Sequence, residues 1–190
     1  MTLFKATVLT LVEYCSQLWC PVKIGEIRRL ESVQRNFTSK INSLTNLTYW
    51  ERLENLKLFS LERRRERYAI LYIYKIFLGL VPNFESERWS FKFKWNPRRG
   101  LLCDVPAINT SATAKVRTMV EGSFAVRGPR LFNCIPVKIR SENLSVVSFK
   151  RHLDEFLSKV DDKPSFPNYS LQVPSNSLLD RRADWRDNLI

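Results

Sequence analysis

Glycine is scarce in this chain of 190 residues, five in all, and histidine occurs once, as His152. So few glycines leave little backbone for phosphate cradles, and no P-loop, Gly-rich dinucleotide loop or G-x-S-x-G elbow occurs. A single histidine beside Arg151 reads as a surface residue rather than a ligand or a base. Cysteine is limited to Cys15, Cys20, Cys103 and Cys134, with no second close pair to complete a zinc set. Free, partly buried thiols are expected, with no metal and no other cofactor. The one adjacent acidic pair, Asp161-Asp162, lies between a helix end and Lys163-Pro164, where no rigid element holds two metals. That pair reads as solvated, and no catalytic residue is assigned.

Long apolar runs are missing too. Ala6 to Val12 is cut by Glu13 and leads to no small-residue cleavage site, so neither a signal peptide nor a membrane span is expected. The sequons at Asn36, Asn46, Asn109, Asn143 and Asn168 then read as chance matches in an intracellular, cytoplasmic or nuclear protein. Neither a membrane nor a small-molecule substrate is an expected partner.

What the chain does have is positive charge: Lys+Arg 31 against Asp+Glu 19, a net +12. Such an excess points to a polyanionic partner, nucleic acid ahead of an anionic membrane surface, with a merely soluble basic protein as the plain alternative. A hydrophobic content of 44% with 12% aromatics is enough for a core.

The pattern is organised around Ser60 to Pro82. Glu62 to Arg67 is wholly charged, whereas Tyr68 to Leu78 carries one charge, Lys75, among aromatic and β-branched residues. One helix is expected, capped by Ser60 and stopped at Gly79, wet at its basic end and enclosed by other elements at its apolar end. Before it, spacings of three and four predict helices over Phe4 to Trp19 and Ile24 to Leu44, and a short one from Tyr49 to Leu56 capped by Thr48. After Pro82 the period becomes two. Trp89, Phe91, Phe93 and Trp95 form one face of a strand, read as core first and as a base-stacking platform second. Asn96 to Gly100 makes a turn, Lys115 to Arg127 is expected to be a hairpin, and Pro129 should open a short helix, Arg130 to Cys134. Val146 to Val160 is a further helix, and the Pro, Ser and Asn content from Asp161 reads as a tail with a short helix within Ser177 to Leu189. The expected architecture is α+β: a helical bundle over 1–82, a small mixed subdomain over 83–160 and a tail over 161–190.

Leu11-Val12-Glu13-Tyr14-Cys15-Ser16-Gln17-Leu18-Trp19, with Leu30-Glu31-Ser32-Val33-Gln34-Arg35, resembles the segment after the palm in reverse transcriptases of non-LTR (LINE-like, jockey-type) retrotransposons. Three more blocks are similar in the same order. Tyr49-Trp50-Glu51-Arg52-Leu53 through Leu61-Glu62-Arg63-Arg64-Arg65 resembles that family's thumb; Phe124-Ala125-Val126-Arg127-Gly128-Pro129-Arg130-Leu131-Phe132-Asn133 with Ile135-Pro136, and then Ser148-Phe149-Lys150-Arg151 with Leu153, resemble its downstream region. The resemblance implies the non-catalytic carboxy-terminal part of an RNA-directed DNA polymerase. Its paired aspartates have no counterpart here, and its palm and fingers would lie upstream as partners. It also implies phosphate-directed contact with an RNA or DNA template-primer duplex. The residues expected to make that contact are Arg28, Arg35, Arg63, Arg64, Arg67, Lys92, Lys94, Arg127 and Arg130.

Overall fold

In the computed structural model, residues 2–86, 89–109, 111–140, 144–164 and 176–180 are described. The helix around which the rest is arranged, α4, spans Leu61–Phe77. The Ser60 hydroxyl caps it by accepting from the Arg63 N–H at 3.1 Å. At the other end Gly79 takes a left-handed φ of +69°, and the Leu80 N–H returns to the Lys75 carbonyl at 2.9 Å.

Before α4 come three helices. The first, α1, is α-helical over Thr2–Phe4, π-helical over Lys5–Leu9 and α-helical again over Thr10–Glu13. It stops short of the expected Trp19, and Cys15 follows with a positive φ of 49°. Helix α2 covers Ile24–Thr38, and the expected continuation to Leu44 is a separate 3-10 turn, Asn42–Leu44. Helix α3, Tyr49–Asn55, opens on the expected cap: Thr48 and Glu51 bond reciprocally as a capping box.

After α4, strands β1 (Phe93–Asn96) and β2 (Gly100–Cys103) pair antiparallel, with Phe93 opposite Cys103 and Asn96 opposite Gly100. Two asparagines hold this region by the same device. The Asn83 side-chain amide exchanges two hydrogen bonds with the backbone of Phe91, both 2.8 Å, and that of Asn133 exchanges two with Cys103, at 2.7 and 2.9 Å. Each amide stands in for a strand neighbour that a two-stranded sheet lacks.

The hairpin expected over Lys115 to Arg127 is not formed. Helices α5 (Ala114–Gly122) and α6 (Phe124–Cys134) occupy this stretch, separated by extended Ser123. Gly122 is not a turn residue but a point of close approach, since a Cβ there would lie 2.3 Å from Val22. Pro129 sits inside α6 instead of opening it. A proline there costs about 3 kcal/mol, which is offset by burying Val126, Leu131 and Phe132 completely. Helix α7, Val146–Lys159, is capped by Ser145, whose hydroxyl accepts from the Ser148 N–H at 3.2 Å.

One hydrophobic cluster joins Ile70, Ile73 and Tyr74 of α4 to Phe91, Leu101, Phe132, Phe149, Leu153 and Leu178. The Tyr74 and Phe149 rings stack with centroids 3.8 Å apart, and the Tyr74 hydroxyl donates to the Leu144 carbonyl at 2.7 Å. The expected division at residue 82 therefore passes through the core. Leu178 is fully buried, so this part of the expected tail is a core segment; the expected helix of Ser177 to Leu189 lies mostly outside the described residues, with only Leu178 to Asp180 seen as a turn. Among the described residues no helix is long and apolar enough to cross a membrane.

Candidate nucleic-acid interface

The first turns of α4 carry the arginines on which phosphate contact was expected, and their surroundings reverse that expectation for Arg63. Its side chain has no exposed surface, and its guanidinium donates to the carbonyls of Asp161 at 3.0 Å and Asn176 at 3.1 Å. A phosphate cannot reach it without displacing the segment that covers it. Arg64 and Arg67 are half-buried and committed to acids from elsewhere in the chain: Arg64 makes a two-pronged pair with Glu13, the last residue of α1, and Arg67 one with Asp154 of α7. Arg127, on α6, donates to Glu66 at 3.0 Å and to the Cys20 sulfur.

Glu66 is fully buried. Besides Arg127 it accepts from the Ser177 hydroxyl at 2.6 Å and the Leu178 N–H at 3.1 Å, which satisfies both of its oxygens. Asp162 is not the solvated acid that was expected. It accepts from the Ser60 N–H and hydroxyl, both at 2.7 Å, and from the Asn176 amide at 2.7 Å, and so fastens the start of α4 to the later chain.

Glu31, Gln34, Arg65 and Asn176 take part without having been singled out by the sequence. Glu31 of α2, fully buried, accepts from the Tyr49 hydroxyl at 2.5 Å and the Leu61 N–H at 3.0 Å. Burial pushes its carboxyl up to about 8, and the charges of Asp162 and Glu62 act in the same direction. Burial, with Glu66 next in importance, raises Glu62 to about 7. Gln34 donates to Tyr49 at 3.2 Å and to the Phe59 carbonyl at 3.0 Å. Arg65 lies 4.1 Å over the Trp19 ring and donates to the Val12 carbonyl at 2.7 Å, which anchors the end of α1. Asn176 closes the network. A polar residue spaced like a solvated one gives no sequence sign that a distant segment will cover it.

The remaining predicted contacts are distributed over α2, α6 and the region of β1. Arg28 and Arg35 are half-buried on α2 and Arg130 is half-buried on α6, while Lys92 and Lys94 are exposed near and on β1, Lys94 in an ion pair with Asp104. Of the nine candidates, Arg63 is thus enclosed, and Arg64, Arg67 and Arg127 are held in ion pairs with acids of the chain. All four cysteines are free, and no group of three metal-ligating side chains forms among the described residues. Comparison with protein-family models, with curated proteins and with solved structures gave no match.

Proposed function

We propose that this chain is a nucleic-acid-binding module without catalysis of its own, corresponding to the thumb and post-thumb part of a non-LTR reverse transcriptase. The observation that carries the reading is where the charge is spent. The internal pairs Arg64–Glu13, Arg67–Asp154 and Arg127–Glu66 each cancel one cation against one anion, so they consume none of the net +12. Part of that excess is interior, on Arg63, Arg65 and Arg140, whose guanidinium groups donate to backbone carbonyls, and exposed side chains such as Arg98, Arg99, Lys115, Arg117, Lys150 and Arg151 add a cationic surface. A field of this kind favours a polyanion and reads phosphates rather than sequence.

A second reading, contact with another polypeptide, is favoured by one feature. Leu3, Leu11 and Leu18, on and just after α1, are 76%, 75% and 83% exposed. In the polymerase proposal this face receives the palm. Salt separates the two: phosphate binding by the purified chain should give log K falling with log salt by about 0.9 per duplex phosphate neutralised. Absence of binding to both duplex and single-stranded probes at low salt would overturn the nucleic-acid reading.

A further inference from the structure

Asn96-Pro97-Arg98-Arg99-Gly100 joins β1 to β2 through residues that fix a backbone. The Asn96 side-chain oxygen accepts from the N–H groups of Arg98 and Arg99, both at 2.9 Å. Pro97 holds its own φ, and Gly100 takes a φ of +65° while lying so close to Val137 that a Cβ would sit 2.9 Å from it. Just beyond the turn, the buried Arg140 guanidinium donates to the Leu101 carbonyl at 2.5 Å and the Ile135 carbonyl at 3.0 Å. The backbone of this tip is therefore set before any ligand arrives.

Its side chains are set outward. Phe93, on the same face of β1 as Trp95, packs edge-on against Phe77, but Trp95 lies past the edge of the core and is 55% exposed. Trp95 makes no aromatic contact among the described residues, and exposed Arg98 and Arg99 make no ion pair among them. Exposed Lys138 lies next to Val137, which packs on the turn.

We infer that the tip of the β1–β2 hairpin binds single-stranded nucleic acid, with Trp95 stacking on a base and Arg98 and Arg99 meeting the adjoining phosphates. This assignment rests on the nucleic-acid reading above and narrows it. A single strand offers the open face of a base to Trp95, whereas a duplex covers its base faces with neighbouring pairs. An acidic peptide would use the arginines but leave the indole idle. Retention at a bilayer surface draws on a set of apolar side chains, and here Trp95 stands beside proline and two cations.

Binding of the full chain to labelled oligo(dT), to a blunt mixed-sequence duplex and to phosphatidylserine vesicles tests this. Trp95→Ala should weaken oligo(dT) binding roughly tenfold and Trp95→Phe much less, while duplex affinity should change less than about twofold. Arg98→Gln with Arg99→Gln should lower the salt slope on oligo(dT) by about 1.4. Wild-type binding that both folded variants leave unchanged overturns the hairpin site alone. Failure of the wild type to bind either nucleic acid overturns the broader reading as well. Vesicle binding lost in Trp95→Ala, with oligo(dT) binding intact, overturns the assignment in favour of a membrane. If Trp95→Ala does not fold, the double arginine variant, altered only at exposed side chains, decides.

Discussion

The carboxylate of Glu31, on α2, lies 3.0 and 3.2 Å from the backbone N–H of Leu61, the first residue of α4. An acid from one helix thus satisfies a donor that the start of another leaves open, while Ser60 satisfies the N–H of Arg63. The arrangement ties α2 to α4 through a group whose ionised form is penalised by burial.

Stability should therefore fall as pH rises through this group's range. The Glu31 carboxyl moves from 4.5 to about 8 on folding, so between those values the folded chain holds a proton that the unfolded chain has released. Its stabilising effect is complete below about 4.5 and is lost as pH approaches 8, an effect on the order of a few kcal/mol. Glu62, raised to about 7, adds a smaller change of the same sign. Urea melts across this range should show a slope that flattens in Glu31→Gln. An unchanged slope in that variant would mean that Glu31 is not the group responsible.

Replacing Arg63 should cost folding before it costs binding. Arg63→Gln loses the bonds to the carbonyls of Asp161 and Asn176 and is expected to destabilise by roughly 1–3 kcal/mol. Arg67→Gln, whose partner Asp154 is half-exposed, should cost about 1 kcal/mol or less. Denaturant midpoints rank the two, and the reverse order would contradict the enclosure of Arg63.

The same covering segment makes a separate target of Asp162. Asp162→Ala removes the acceptor for two donors of Ser60 and for Asn176. Hydrogen exchange at residues 176–180 should speed up several-fold relative to exchange at Ile70 and Ile73, which lie in the core of α4. Uniform acceleration at all these positions would instead indicate a global loss of stability.

Gly128 tests the packing of α6 on α4. A Cβ at this position would lie 2.9 Å from the Phe124 ring and 3.2 Å from Ile73 Cδ1. Gly128→Ala, although it improves helix propensity, should destabilise by about 1–3 kcal/mol. A higher melting temperature would show that the two helices separate at little cost.

Thiol labelling divides the cysteines by depth. Cys15 and Cys20 are half-buried, whereas Cys103 and Cys134 are buried, and burial, with the charge of Asp104 second, pushes the Cys103 thiol up to about 12. An aromatic disulfide reagent at neutral pH should modify the first two in the folded chain and the second two only on unfolding. Rapid reaction at all four in the native protein would be incompatible with a β2 strand packed against α6.

The parts of this fold that were legible in the sequence are those fixed within a few residues. Ser60 and Thr48 cap the helices that were expected to follow them, and the Asn96 to Gly100 turn forms where its residue types require one. The errors share a cause. Glu121-Gly122 resembles a hairpin turn to local rules, yet Gly122 is there because Val22, a hundred residues earlier in the chain, needs the space. Glu31, Gln34 and Thr38 are polar yet form the buried side of α2, while Ile24 and Val33, whose spacing helped predict that helix, are exposed. Arg63 and Asp162 were read as surface charges because their partners come from the other end of the molecule. The candidate interface was legible only as an excess of cations, since internal and external arginines have the same spacing.

Glu66 gives the order in which the chain can be assembled. Its bonds to Ser177 and Leu178 join positions 111 and 112 residues apart, the longest loops closed by any hydrogen bond to its carboxylate. Loops of that length close slowly compared with the turns of a helix, so α4 should form early while its first turns still face water. On that order Glu66 and Arg63 should stay hydrated until residues 176–178 arrive, and the burial of these charges should coincide with the seating of Leu178 in the hydrophobic core.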